Sequence, residues 1–259
     1  MIHIGTCGFP KKRSAIFALF DVVEVQQTFY NLVPLETLLR LRREAPEHFL
    51  FTLKAFQGIT HPATSPTYRR TRLPQSFRPE NLGFFQKTEE VEACARHTLA
   101  MAEALQARVL LFQCPPSFTP SDEHVENLVS FFERFPRGEY FLAWEPRGPW
   151  KAEEIGAICR DLDLVHVVDP FYADPLWGEM CYFRLHGKGS YRYQYTDEDL
   201  LLLKKKLMGY DREVFCLFNN VPMFEDAKRF KEILVSLSQD SCEGFSKGPG
   251  ERKEQSRDA

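Results

Sequence analysis

The chain has 259 residues, 44% of them apolar and 23 of them Phe, with a formal charge of −3. A chain of this size buries about three-quarters of its unfolded surface, so it can hold a core without disulfides or a structural metal, and its charge balance argues against a basic nucleic-acid surface or a strong attraction to anionic membranes. Its seven scattered Cys include no CxxC pair, which argues against a disulfide framework and fits a reducing cytosol, and no apolar run reaches the roughly 20 residues of a membrane span.

In chain order, IHIGT (2–6) reads as a strand, and residues 7–20 leave room for only a short helix. DVVEVQ (21–26) is a second strand, a helix starts at Pro34 (PLETLLRLRREA), and FLFTLK (49–54) is a third strand. The stretch from Gly58 to Gly83, rich in Pro, Thr and Arg, has no periodicity; loops of that length are usually functional or mobile. Helix, strand, helix and strand follow: QKTEEVEACARHTLAMAEAL from Gln86, RVLLFQ (108–113), SDEHVENLVSFFERF from Ser121 and YFLAWE (140–145). Ser121 and the acidic residues after it suit a helix N-terminus. WKAEEIGAICRDL from Trp150 precedes LVHVVD (164–169), after which Pro170 to Met180 reads as a loop. CYFRLH (181–186), TDEDLLLLKKKL from Thr196, EVFCLFN (213–219) and a last helix from Val221 complete the series. Eight strands with intervening helices predict one α/β domain over residues 1–237, a (β/α)₈ barrel irregular on two sides. Residues 238–259 are polar and nearly free of large apolar side chains, and read as a disordered tail.

Strand side chains alternate between the helices and the lumen. In CYFRLH the apolar set Cys181, Phe183 and Leu185 suits the helices, leaving Tyr182, Arg184 and His186 inward; in FLFTLK, Phe51 faces out while Thr52 and Lys54 face in. The same parity turns Glu24, Gln113, Glu145 and Asp169 inward at the strand ends, where barrel active sites lie. Three carboxylates there face Lys54, Arg184 and Arg147. Such a set is either a salt-bridge network closing the barrel or the site of a polar ligand.

The segments IGTCGFP (4–10), VEVQQTFYNLVP (23–34), FLFTLKAFQGITH (49–61) and LLFQCPPSF (110–118) resemble the YecE-like family of domain-of-unknown-function proteins. FLAWEPRGPW (141–150), YFRLHGKGSYRYQY (182–195) and VFCLFNNVP (214–222) extend the likeness over residues 2–236. The resemblance implies a TIM barrel and brings no established reaction. It departs at Gly8-Phe9-Pro10, where the family usually carries Gly-Trp.

As an enzyme of hydrolase or lyase type, the chain would use Glu24, Glu145 and His186 as acid, base or proton carrier on a small anionic or sugar-containing substrate. Lys54 and Arg184 would take substrate charge, and Tyr30, Gln113, Arg147, Asp169 and Asn219 would orient it. Two alternatives stand beside this: a noncatalytic ligand-binding or interaction protein, and a phosphate-backbone or nucleic-acid enzyme using the arginines of residues 69–78. No cofactor, membrane or partner chain is expected, so the protein would be monomeric. Glu145, Asp169 and His186 end successive strands and would be the ligands if a divalent ion were bound, but nearby cations oppose it. Cys114 has no evident base and is a poor nucleophile.

Overall fold

The structure, a computed structural model, describes residues 1–240, with side chains to 235. Eight parallel strands close into a barrel in sequence order: β1 (Ile2–Cys7), β2 (Val22–Val25), β3 (Leu50–Lys54), β4 (Val109–Gln113), β5 (Phe141–Glu145), β6 (Val165–Val168), β7 (Cys181–Leu185) and β8 (Val214–Phe218). Closure comes from β1 pairing with β8, in register from Ile2↔Val214 to Thr6↔Phe218. Gly5 permits the tight approach of β1 to β2, since a Cβ there would lie 2.0 Å from the Val22 carbonyl oxygen.

The expected irregularity is present on both sides. Between β1 and β2 there is only α1 (Arg13–Leu19), and between β6 and β7 no helix at all. The β2–β3 connection carries two helices, the single-turn α2 (Gln27–Tyr30) and α3 (Leu35–Glu44). The others are α4 (Glu89–Leu105), α5 (Asp122–Arg134), α6 (Ala152–Asp161), α7 (Asp197–Leu207) and α8 (Met223–Asp240). Ser121 caps α5 through its side chain, and α7 starts with a Thr196–Asp199 capping box. Helix α8 runs a few residues past the boundary expected for the tail, the rest of which lies outside the described residues.

Parity divides the core as alternation requires. Val23, Phe51, Phe112, Trp144, Phe183 and Phe218 pack outward beneath the helices, while Val22, Val109, Leu111, Tyr182, Phe215 and Leu217 fill the lumen. The apolar lumen supports a polar layer above it at the C-terminal strand ends. Residues 58–83 form a tied covering segment with two 3₁₀ turns, Pro66–Arg70 and Pro79–Asn81. Buried Gln57 bonds to Thr67 and Thr71, Tyr68 donates to the His61 carbonyl at 3.0 Å, and Gly83 N–H reaches the Gly58 carbonyl at 2.8 Å.

Candidate active site at the barrel mouth

Arg184 on β7 organises the polar layer. Its side chain is 1% exposed, and a guanidinium so deep needs every donor direction answered. Nε and Nη2 donate to the two oxygens of Glu24 at 3.1 and 2.9 Å, a bidentate pair, while Nη1 donates to Glu145 Oε2 at 2.5 Å and Gln113 Oε1 at 3.1 Å. Burial alone would lower its pKa, but Glu145 and Glu24 outweigh that and raise it well above the ordinary value. Glu24, wholly buried on β2, also accepts from the Tyr182 hydroxyl at 2.7 Å and from Gln26, and Tyr182 is joined to Thr52 at 2.7 Å. These polar contacts tie β2, β3, β4, β5 and β7 together across the lumen.

A second row faces the opening. Arg147, just past β5, donates from Nε to Glu145 Oε1 at 2.9 Å and from Nη2 to His186 Nε2 at 2.6 Å. A guanidinium cannot accept, so His186 Nε2 accepts and the imidazole proton faces Asp169, whose Oδ2 lies 3.5 Å from Nδ1. Asp169 holds the strand ends as well: Oδ2 accepts from the His186 backbone N–H at 2.9 Å and Oδ1 from that of Phe171 at 3.0 Å. Burial pushes the Glu145 carboxyl up, but Arg184, Arg147, His186 and Lys54 pull it down to about 2. Glu145 is therefore an anion at neutral pH. Beside this row, where β6 ends early at Val168, a cavity of about 350 Å³ is bordered by Glu145, Arg147, Asp169 and His186 and extends along β6 to His166 and to Ile155 of α6. Tyr191 stands edge-on to His186 with ring centroids 5.7 Å apart. Gly187, at φ +84°, turns the chain under this edge, and a Cβ there would meet the Ser190 carbonyl oxygen at 2.2 Å.

Lys54 lies apart from both rows. It is 6% exposed, its Nζ sits 3.7 Å from the centre of the Phe29 ring, and among the described residues no carboxylate lies within ion-pair distance of it. Burial and Arg184 lower its pKa, opposed by Glu24 and Glu145, leaving it at about 7. His61 packs edge-on to the same Phe29 ring at 5.0 Å and bonds through Nδ1 to Thr60 at 2.8 Å; burial, then the Lys54 charge, lowers its pKa to about 3. His61 is thus neutral in the fold and protonates only on unfolding above that pH. Stability should fall by roughly 2 kcal/mol from pH 6.5 to pH 5 on this account, since the unfolded chain takes up the proton first. Denaturant melts across that range should show a shallower fall in His61→Gln.

The lumen parity read from the strands holds for Glu24, Gln113, Glu145 and Arg184, whose side chains meet, and of the cations that the sequence set against the carboxylates, Arg184 and Arg147 pair with them and Lys54 does not. Arg184, assigned to substrate charge, has its donors committed to Glu24, Glu145 and Gln113, and Glu24, assigned to acid–base work, is enclosed by donors. Lys54 pairs with neither carboxylate. Between Glu145 and His186, where a divalent ion was weighed, stands the Arg147 guanidinium, and among the described residues no group of three His, Cys, Asp or Glu is placed to hold a metal. Tyr30 is half-buried on α2, edge-on to Phe29 at 5.0 Å, and Asn219 is half-buried at the end of β8, its backbone N–H on the Leu185 carbonyl. Asn220 instead holds Asp226 of α8 at 2.6 Å. Cys114 is buried and accepts from Trp144 Nε1 at 3.2 Å, its thiol pushed up by burial. His61 and Phe29 were not foreseen as Lys54's surroundings, although His61 lies near the start of the long segment beyond β3, on the face where barrel sites form.

Among known proteins, UPF0759 protein YunF of Bacillus subtilis (strain 168) is 24% identical over 286 residues, covering 92% of this chain and 95% of that protein. A DUF72 family protein of Enterococcus faecalis V583 has the same fold with a TM-score of 0.69 at 20% identity, covering 90% of this chain and 97% of that one. Another, from Thermotoga maritima MSB8, gives a TM-score of 0.65 at 23% identity over 90% of this chain and 99% of that one. Residues 12–251 match the family described as protein of unknown function DUF72, and the chain belongs to that family.

Proposed function

We propose that this barrel is an enzyme of hydrolase or lyase type acting on a small anionic or sugar-containing substrate at its C-terminal mouth. The observation that carries the reading is the row Glu145–Arg147–His186–Asp169 bordering an open cavity and joined through Glu145 to the buried Arg184–Glu24 pair. Arg147 is 30% exposed and commits Nε and Nη2 but not Nη1, so it has a donor left for a substrate carboxylate, phosphate or hydroxyl. His186, oriented by Asp169, carries the proton once substrate draws Arg147 from Nε2. Glu145, held ionised, stabilises positive charge rather than donating a proton. Glu24 and Arg184 fix the frame.

The test is a titration of wild type, Arg147→Met and His186→Asn with inorganic phosphate, sugar phosphates and aldonic acids, read by ligand-detected NMR. At least one sugar-derived compound should bind wild type saturably and lose at least about tenfold in affinity in Arg147→Met, the loss of one charge-assisted contact. Stability of Arg147→Met should change by less than about 1 kcal/mol, since Glu145 keeps Arg184 as its partner and Arg147 itself is 30% exposed. Failure of every compound to bind wild type, or binding indifferent to both substitutions, would remove the reading. Salt-sensitive binding of an oligonucleotide instead, lost on replacing Arg69, Arg70, Arg72 and Arg78, would put nucleic acid in its place.

A further inference from the structure

We propose that Lys54 is a covalent nucleophile, whose Nζ adds to the carbonyl carbon of an aldehyde or ketone substrate, such as an open-chain sugar, to form an imine. The inference rests on the reading of the mouth as a substrate site and narrows it to carbonyl compounds.

The geometry separates Lys54 from every other cation of the polar layer. Arg184 and Arg147 are each bound to carboxylates, whereas Lys54 has no carboxylate within ion-pair distance among the described residues. Its tip lies over the face of Phe29 rather than against an acceptor. Among the described residues the buried side-chain polar atoms without a partner are His97 Nε2 and Asn220 Oδ1, and Lys54, whose Nζ makes no hydrogen bond to any of those residues, keeps 6% of its surface exposed. A lysine placed for structure would be paired, as Lys204 is with the carbonyls of Ile233 and Leu234. An amine with no carboxylate partner at the C-terminal end of β3, the end of the barrel where active sites form, is placed as catalytic amines are.

The groups that act on Lys54 electrostatically are Arg184 and Arg147, which oppose its charge, and Glu24 and Glu145, which favour it. His61 from the covering segment meets it across Phe29 and is neutral. Desolvation and the two guanidiniums leave a large share of the amine unprotonated near neutral pH, as a nucleophile requires. The lone pair of Nζ forms the N–C bond while the carbonyl π pair moves to oxygen, which takes one of the two Nζ protons to give the carbinolamine. That oxygen then takes a second proton from solvent and leaves as water with the C–O electron pair, while the nitrogen lone pair forms the C=N bond and nitrogen keeps its remaining proton as the iminium. The carboxylates of Glu24 and Glu145 favour this cation without being bonded to it. An iminium withdraws electrons from the neighbouring carbon, which is the requirement for carbon–carbon or carbon–oxygen cleavage by a lyase.

The experiment treats the whole wild-type chain with glycolaldehyde and sodium cyanoborohydride, which reduces imines to stable secondary amines, and locates the products by peptide mass spectrometry. At pH 7 Lys54 should be modified at least about tenfold faster than exposed Lys205, because burial disfavours the charged form of Lys54 and leaves more of it as free amine. The ratio should shrink by pH 10 and vanish in denaturant. Native Lys54 left unmodified, or modified no faster than Lys205, would overturn the inference. The two readings separate cleanly: sugar compounds that bind wild type with Lys54 unlabelled would leave the substrate site and remove the nucleophile, whereas rapid labelling with no sugar bound would do the reverse.

Discussion

Arg184→Met is expected to be the most damaging single substitution in the polar layer. It leaves Glu24 wholly buried and without a cation, while Glu145 keeps only Arg147. Removing one member of a buried, hydrogen-bonded ion cluster costs about 3–5 kcal/mol because the other charge remains desolvated, which for a domain of this size lowers Tm by roughly 10 °C. Arg184→Lys should recover little of this, since an ammonium cannot span both Glu24 oxygens together with Glu145 and Gln113. Adding Glu24→Gln to Arg184→Met should restore part of the loss, because the stranded charge is then gone. Urea melts of the three variants check this. A loss below about 1 kcal/mol in Arg184→Met would mean that the carboxylates find other partners or water.

Lys54→Met should shift stability in the opposite direction, and with a distinctive pH dependence. The lysine titrates at about 7 in the fold and near 10.4 when unfolded, so between those values the unfolded chain holds the extra proton. Wild-type stability therefore rises as pH climbs from 7 towards 10, and below 7 the fold carries the whole cost of a buried ammonium. Methionine removes that cost while filling similar space, so the variant should gain roughly 4 kcal/mol at pH 6 and approach wild type by pH 10. Melts at pH 6 and pH 9.5 decide it. An equal effect at both pH values would show that Lys54 is not forced towards its neutral form. A stabilised variant would also be a reason to expect function here, since a group that costs stability persists where activity needs it.

The barrel and its inner face were readable because both rest on short-range rules. Eight apolar runs of strand length, alternating with helices, leave few other closed arrangements, and a period of two decides which way Arg184, Glu145 and Lys54 point. Phe51 and Phe183 lie outside as the same rule requires. Which cation meets which carboxylate was not readable. Arg184 reaches Glu24 across the lumen from β7 to β2, a contact set by the stagger of strands and the reach of a five-donor fork. Lys54 starts from a strand next to β2 yet points at Phe29, because Tyr182, Gln26 and Arg184 already fill the Glu24 oxygens. The covering segment was hardest: its turns depend on contacts such as Gln57 to Thr71 and Tyr68 to the His61 carbonyl, which leave no periodic trace.

The function proposed here sets a buried frame, Glu24 and Arg184, against an open substrate-binding row, Arg147 and His186. It is tested most directly by measuring Tm and sugar-ligand affinity together on Arg184→Met, Arg147→Met and His186→Asn. The account predicts a fall of roughly 10 °C in the first, with Tm nearly unchanged and ligand affinity lost in the other two. Arg147→Met and His186→Asn that melt as early as Arg184→Met, or that bind ligand as wild type does, would contradict it and leave a salt-bridge network that only closes the barrel.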